Sequence, residues 1–414
     1  MPGAPAPAPT RIFGDPKPGA DETSFQVDNT SAQYYASPYY LLHRKQIQPV
    51  PAPRTSPPRV DLANVLGAVA LAPIVKAKKI SFHAVGDTGA AKVDVAQTAG
   101  QAIANEASVA DRMAEDVERG GSSGPAFFFH LGDVVYDFGE DQYYYDQFYE
   151  PFRAYDRPIF AIPGNHDGSV FGPSKTVPAV PTLTGFQTNF CATTPGPSPD
   201  AGGIFRTTMD QPGVYFTLDA PFVSIIGIYT NVLEGPGVIS SQGGKYPLGD
   251  EQVAFLTSEL TRLKPARAAN ERAVIIACHH PPASVDAVHG GGSGLAADID
   301  AACQAAGQWP DAVLSGHAHL YQRFTRATAG REIPYIVAGS GGYAATAPQS
   351  GLPKAPVTVG EYTLVNDPVV AFGYLTLTVD ATGASPELTI FFRACLGSTA
   401  TDTVTVNLAS GRLV

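Results

Sequence analysis

The chain has 414 residues, 44% of them apolar, and a formal net charge of −11. Such a length can bury a large core and permits two or three domains, while the acidic balance excludes a nucleic-acid scaffold, which would present a basic face. No Lys/Arg run and no Gly-x-x-x-x-Gly-Lys loop is present, so a P-loop nucleoside triphosphatase is not supported, and any anionic substrate would have to be recognised locally.

Residues 1–60 read as a Pro-rich N-terminal extension, opening on Pro2-Gly3-Ala4-Pro5-Ala6-Pro7-Ala8-Pro9 and partly disordered. The first twenty residues are expected to be mobile. The later part, with Tyr34-Tyr35 and Tyr39-Tyr40 to bury, is expected to lie along the catalytic domain formed by residues 61–414. No signal peptide is apparent at the start, and the apolar run Val65–Ala72 is far shorter than the roughly 20 residues that span a bilayer, so no membrane partner is expected.

From residue 79 onward, strands and helices alternate. Continuous apolar runs at 79–85, 126–131, 157–162, 273–278 and 312–314 suit strands buried on both faces. A helix face is formed by Val95, Ala99, Ala102, Val109, Met113 and Val117, interrupted by Glu106. A second helix contains Val253, Leu256, Leu260 and Leu263, with Asp250 as its cap. Residues 168–248, rich in Gly, Pro and Thr, read as long loops with short strands that shape an entrance. Period-two alternation at 373–379, followed by 387–392, predicts a hairpin that extends one sheet. Cys191, Cys278, Cys303 and Cys395 are too scattered for a zinc ribbon or a Cys-x-x-Cys pair and allow up to two disulfides.

Each strand-like run ends in a short polar block: Gly86-Asp87-Thr88-Gly89, Gly132-Asp133-Val134-Val135-Tyr136, Gly164-Asn165-His166-Asp167, Cys278-His279-His280 and Gly316-His317-Ala318-His319. In open α/β sheets the ligand crevice lies beyond the carboxyl ends of the strands, so the five loops can converge. Any one block is a common turn sequence. Together they offer carboxylates, a phenol, an amide oxygen and imidazoles, a donor set for two adjacent metal ions. Either His279 or His280 could be the donor of its block, and the apolar-x-x-His spacing from Ile276 favours His279. His83 and His130, inside strands, read as core histidines, and His43 carries no motif.

These blocks, in this order, resemble the purple acid phosphatases, a branch of the calcineurin-like metallophosphoesterases. The resemblance spans residues 86–319. Generic members of the superfamily place a His two residues after the first Asp, where this chain has Gly89, and the branch supplies a tyrosine instead, here Tyr136. The resemblance implies a four-layer α/β/β/α sandwich of two mixed sheets flanked by helices, in the compact form without a separate N-terminal β-domain. It implies that Asp87, Tyr136 and His319 bind one metal, that Asn165, His279 and His317 bind the other, and that Asp133 bridges them. Hard anionic donors suit ferric iron at the Tyr136 site, and imidazole with amide oxygen suits a divalent iron, zinc, manganese or magnesium ion at the Asn165 site.

The expected activity is acid hydrolysis of phosphate monoesters, on small molecules or peptides, by direct attack of a metal-bound hydroxide on phosphorus. His166 is expected to face the substrate and stabilise the transition state or protonate the leaving oxygen, and His289 is the candidate for a second substrate-facing imidazole. A phosphodiesterase on the same metals is the alternative, and a metal-binding or interaction module without turnover is the alternative of another class. A secreted or periplasmic location is expected from the family's habit; oligomeric state is left open.

Overall fold

A computed structural model describes residues 46–89, 99–136, 138–169, 181–194, 196–204, 206 and 211–414. The expectations for the first twenty residues, for the two tyrosine pairs, for Val95 and for His43 lie outside the described residues. Among these, sixteen strands form two sheets. β1 (Arg59–Asp61), β5 (Phe216–Ala220), β6 (Val223–Ile228), β7 (Ala273–Cys278), β8 (Ala312–Ser315), β10 (Arg331–Ala338), β9 (Tyr321–Thr328), β12 (Tyr362–Leu364) and β11 (Val357–Val359) make up a nine-stranded sheet in that spatial order. The seven-stranded sheet runs β16 (Arg412–Leu413), β15 (Thr401–Asn407), β14 (Glu387–Leu396), β13 (Phe372–Asp380), β2 (Lys79–Val85), β3 (Phe128–His130) and β4 (Ile159–Ala161). Both are mixed. β2, β3 and β4 are parallel, as are β6, β7, β8 and β10, whereas the expected hairpin β13–β14 is antiparallel and joins its sheet through β2.

Burial of both strand faces explains the continuous apolar runs. In β7, Ala273, Ile275 and Ala277 enter the core between the sheets with Phe82, Phe127, Phe129, Phe160 and Leu314. Val274, Ile276 and Cys278 point the other way, into a core shared with the helices. Helix Ala99–Gly120 packs on β13 and β14, and helices Glu251–Ala268 and Ser293–Ala306 pack on each other against the nine-stranded sheet. The result is the expected α/β/β/α sandwich. The metal-site strands β2, β3, β4, β7 and β8 end on one side of it.

One detail departs from the sequence reading, and two that it left open are settled. Asp250 stands at the helix N-cap but caps nothing with its side chain; its carboxylate accepts instead from the Ser241 N–H and hydroxyl. All four cysteines are free thiols, so the two possible disulfides are not formed. The run Val65–Ala72 belongs to helix Leu62–Ala77, capped by the Asp61 carboxylate on the Ala63 N–H. In residues 46–58, the Gln48 N–H is bonded to Asn231 and the Arg54 N–H to the Pro212 carbonyl. β1 then crosses the expected 60/61 boundary to pair with β5. No helix among the described residues is long and apolar enough to cross a membrane.

Candidate metal centre

The strand-end loops are tied to one another before any side chain is counted. Asp87 N–H donates to the Gly132 carbonyl at 2.9 Å, Gly86 N–H to the Ala338 carbonyl and Gly316 N–H to the His279 carbonyl. Three of the expected donors, Asp87, Asp133 and His317, sit at positive φ (59°, 54° and 67°), a region that residues with a Cβ rarely adopt. Each follows a glycine that leaves room for the turn.

One half of the cluster surrounds Asn165. Its Oδ1 lies 2.9 Å from His279 Nε2 and 3.0 Å from His317 Nδ1. The opposite ring nitrogens face backbone carbonyls: His279 Nδ1–H donates to Leu131 and His317 Nε2–H to Glu234. With those tautomers fixed, the nitrogen lone pairs converge on an amide oxygen that is itself an acceptor. Asp133 Oδ2 adds a fourth acceptor, 3.3 Å from His279 Nε2, and has no hydrogen-bond partner among the described residues. Acceptors gathered in this way need a cation, and the ligand atoms of Asp133, His279 and His317 lie within 4.8 Å of one another. Burial lowers the His279 pKa, but the Asp133 and Asp87 carboxylates outweigh it and hold it at about 9. The pocket therefore demands positive charge at this point.

The other half surrounds Asp87. Its Oδ1 lies 3.3 Å from the Tyr136 hydroxyl and 3.4 Å from His319 Nε2, while Oδ2 accepts from the His317 N–H. Burial, then the Asp133 and Asp87 carboxylates, push the Tyr136 phenol well above its ordinary range, so it ionises only beside a strong cation. Asp133 stands between the halves: Oδ1 accepts from the His166 N–H and Oδ2 faces His279. All seven expected donors are thus brought together, six of them almost wholly buried and His319 7% exposed. The donor set fits two metal ions.

Gly89 explains how a tyrosine enters this set. A Cβ at Gly89 would lie 2.6 Å from Tyr136 Cδ2 and 2.8 Å from Gln147 Oε1. A side chain at 89 and the Tyr136 ring in its present place exclude each other. Gln147 also brackets the Tyr136 backbone, accepting from its N–H at 2.9 Å and donating to its carbonyl at 2.8 Å.

His280 points away from the donors. Its N–H donates to the Thr230 hydroxyl, which faces its Nδ1, and Nε2 faces the Leu233 carbonyl. Burial and the neighbouring His279 push its pKa down to about 3. It is a neutral pin for the loop that carries the Glu234 carbonyl to His317, so the alternative between His279 and His280 falls to His279. His83 and His130 are core histidines, bonded to Tyr155 and to Thr88.

Two imidazoles line the mouth. The His166 ring is 4.4 Å from that of Tyr136, and the His289 ring is 4.4 Å from that of His317 and 5.2 Å from that of His319. Both expected substrate-facing residues therefore border the donors. Three neighbours were given no role in the sequence reading. Asp286 accepts from His289 Nδ1 at 3.1 Å and from three backbone N–H groups, fixing the ring. Asp167 gathers the N–H groups of Val134, Val135 and Gly164 and so ties two blocks together; burial and Asp133 push its pKa up to about 7. Tyr343 follows the run Gly339-Ser340-Gly341-Gly342 at the end of β10, the same strand-then-glycine signal as the five blocks, but with no carboxylate, amide or imidazole to mark it.

The two-sheet sandwich carries this donor cluster at its strand ends, and the cluster suits a binuclear metal site. Residues 80–321 match the family model of the calcineurin-like phosphoesterases, and the chain belongs to that family. Among solved structures, the fold is similar to the purple acid phosphatase PPD1 from yellow lupin (Lupinus luteus) seeds, at 17% identity and TM-score 0.53, over 81% of this chain and 54% of that one. It is also similar to GAP50, the anchor in the inner membrane complex of Plasmodium, at 13% identity and TM-score 0.51, over 81% of this chain and 91% of that one. The chain thus spans about half the length of the lupin protein. No curated protein sequence matches it.

Proposed function

We propose that the protein is a phosphatase of the purple acid type that hydrolyses phosphate monoesters at acid pH. The observation that carries this reading is the Tyr136 phenol beside Asp87 and His319, in the space that Gly89 leaves open. Asp87, Tyr136 and His319 would hold ferric iron, Asn165, His279 and His317 a divalent ion, and Asp133 would bridge. A bound pair of this kind lowers the pKa of water and clamps the attacking and leaving oxygens in line.

The protein's own part is orientation and proton traffic. Leu131 and Glu234 carbonyls hold His279 and His317 in the tautomers that aim lone pairs inward. His289, fixed through Nδ1 by Asp286, turns its other nitrogen to a phosphoryl oxygen. His166 is 17% exposed, with Nε2 3.9 Å from the rim carboxylate of Glu234, which suits delivery of a proton to the leaving oxygen. Direct attack of water on phosphorus, without a covalent intermediate, belongs to this reading. The buried donor set argues for turnover rather than for an interaction module on this fold.

Hydrolysis of a chromogenic phosphate monoester and a matching diester by the metal-replete protein, from acid to neutral pH, tests the reading. Monoester preference at acid pH is expected. Diester preference would replace the substrate class, and no hydrolysis of either by metal-loaded protein would overturn the enzyme reading.

A further inference from the structure

Tyr343 lies against the ring of Tyr136 in a geometry that two neutral phenols do not choose. The ring centroids are 3.6 Å apart and the planes differ by 1°. Aromatic pairs prefer offset or edge-to-face arrangements, because in an aligned sandwich the negative faces of both rings oppose each other. Two features account for the stack. The first is the backbone: Tyr343 N–H donates to the Asp87 carbonyl at 3.1 Å and Gly341 N–H to the Gly86 carbonyl at 3.0 Å. Gly342, at φ 154°, packs so closely on the Glu106 backbone that a Cβ would lie 2.6 Å from its Cα. Tyr343 is therefore delivered by a loop bonded to the one that carries Asp87 and has little freedom to slide.

The second is the neighbouring imidazole: the His166 ring lies 4.4 Å from the Tyr136 ring, which leaves that ring little room to turn away. Tyr343 is half-buried whereas Tyr136 is 0% exposed, so its ring stands between Tyr136 and water. It faces the Asp87 half of the cluster, 5.3 Å from the His319 ring.

We propose that Tyr343 is a positioning residue that fixes the plane of the Tyr136 ring and shields it from water, and so sets the strength of the phenolate-to-iron bond. This rests on the reading of Tyr136 as a ferric ligand. The aromatic plane of Tyr343 is the feature that acts on Tyr136.

The test uses the iron-loaded full-length protein and reads its visible charge-transfer band and the release of iron to a competing chelator. Tyr343→Phe is expected to keep the parental band and iron retention. Tyr343→Leu should shift the band and weaken iron retention about 10–100-fold, the usual effect of losing a residue that orients a ligand. Should the leucine variant not fold, as judged by far-ultraviolet circular dichroism, Tyr343→Met removes the ring at similar volume and is read in the same way. A parental band and iron retention unmoved in the leucine or methionine variant would overturn the inference and leave the Tyr136 assignment standing. A parent without such a band, or a band that survives Tyr136→Phe, would overturn that assignment and this inference with it.

Discussion

Gly89→Ala tests the steric argument on which the donor set depends. The added Cβ would meet Tyr136 Cδ2 at 2.6 Å, where ordinary contact begins at 3.4 Å, so one of the two must retreat by 3.4 − 2.6 = 0.8 Å. Gln147 Oε1 at 2.8 Å blocks relief on that side, and the Tyr136 backbone is bracketed by the same glutamine. With Tyr343 stacked on the ring, the strain falls on the Tyr136 ring itself. Overpacking of this kind costs about 1–3 kcal/mol of stability. A metal ligand tolerates only about ±0.2 Å, so the same movement takes the phenol oxygen out of range. Turnover on a phosphate monoester should fall about 10²-fold, as it does for misplacements near 1 Å. Denaturant unfolding, iron content and kcat measured on one preparation separate the two effects. A folded variant with parental turnover and iron content would refute both the clamp and the role of Tyr136.

Glu106, which interrupts the apolar face of its helix, is fully buried. Burial pushes its pKa well above the ordinary range, the Thr88 hydroxyl opposing only in part. The folded state thus holds a proton that the unfolded chain releases above about pH 4.3. This contribution to stability is fully present below that pH and lost as pH rises toward the folded value, at up to about 1.4 kcal/mol per pH unit. Glu106→Gln should abolish that slope, matching the parent near pH 4 and exceeding it increasingly toward pH 7; parallel stability curves would refute this. Metal removal should lower the unfolding midpoint, since ligand present at 100 times its Kd stabilises by about 2.7 kcal/mol. A melting curve unmoved by a strong chelator would mean that Asp133, His279 and His317 hold nothing.

Much of the fold was legible because burial on both faces forces a continuous apolar run, and a run such as Ala273–Cys278 has no other comfortable reading at that length. The donors were legible because each follows such a run directly. Less visible was what depends on remote neighbours. β5 and β6 form an antiparallel pair inside a Gly, Pro and Thr-rich stretch that read mainly as loop; their burial comes from the sheet around them, not from their own composition. Asp250 looked like a cap, but Ser241, nine residues earlier, offered its carboxylate two donors. The choice between His279 and His280 could not be made from spacing alone, because it rests on Thr230 and Leu233 holding His280 elsewhere. Tyr343 comes from a loop whose only mark is glycine, required by the Glu106 helix that crosses behind it.

The positive φ angles of Asp87, Asp133 and His317 bear on which comes first, the metal or the site. A non-glycine residue held in that region costs on the order of 1–3 kcal/mol, and a turn held only by its ligand would relax when the ligand left. These turns are held by the polypeptide. Asp87 N–H is bonded to Gly132, His317 N–H to the Asp87 carboxylate, and the Asp133 carboxylate receives the His166 N–H. Asp167 adds the N–H groups that follow Asp133 to the one that precedes Asn165. The donors therefore converge through backbone bonds between strand ends, while the cation answers the charge and lone pairs so collected. Cations would then act on a site already assembled, and their loss would lower stability without dispersing the side chains that receive them.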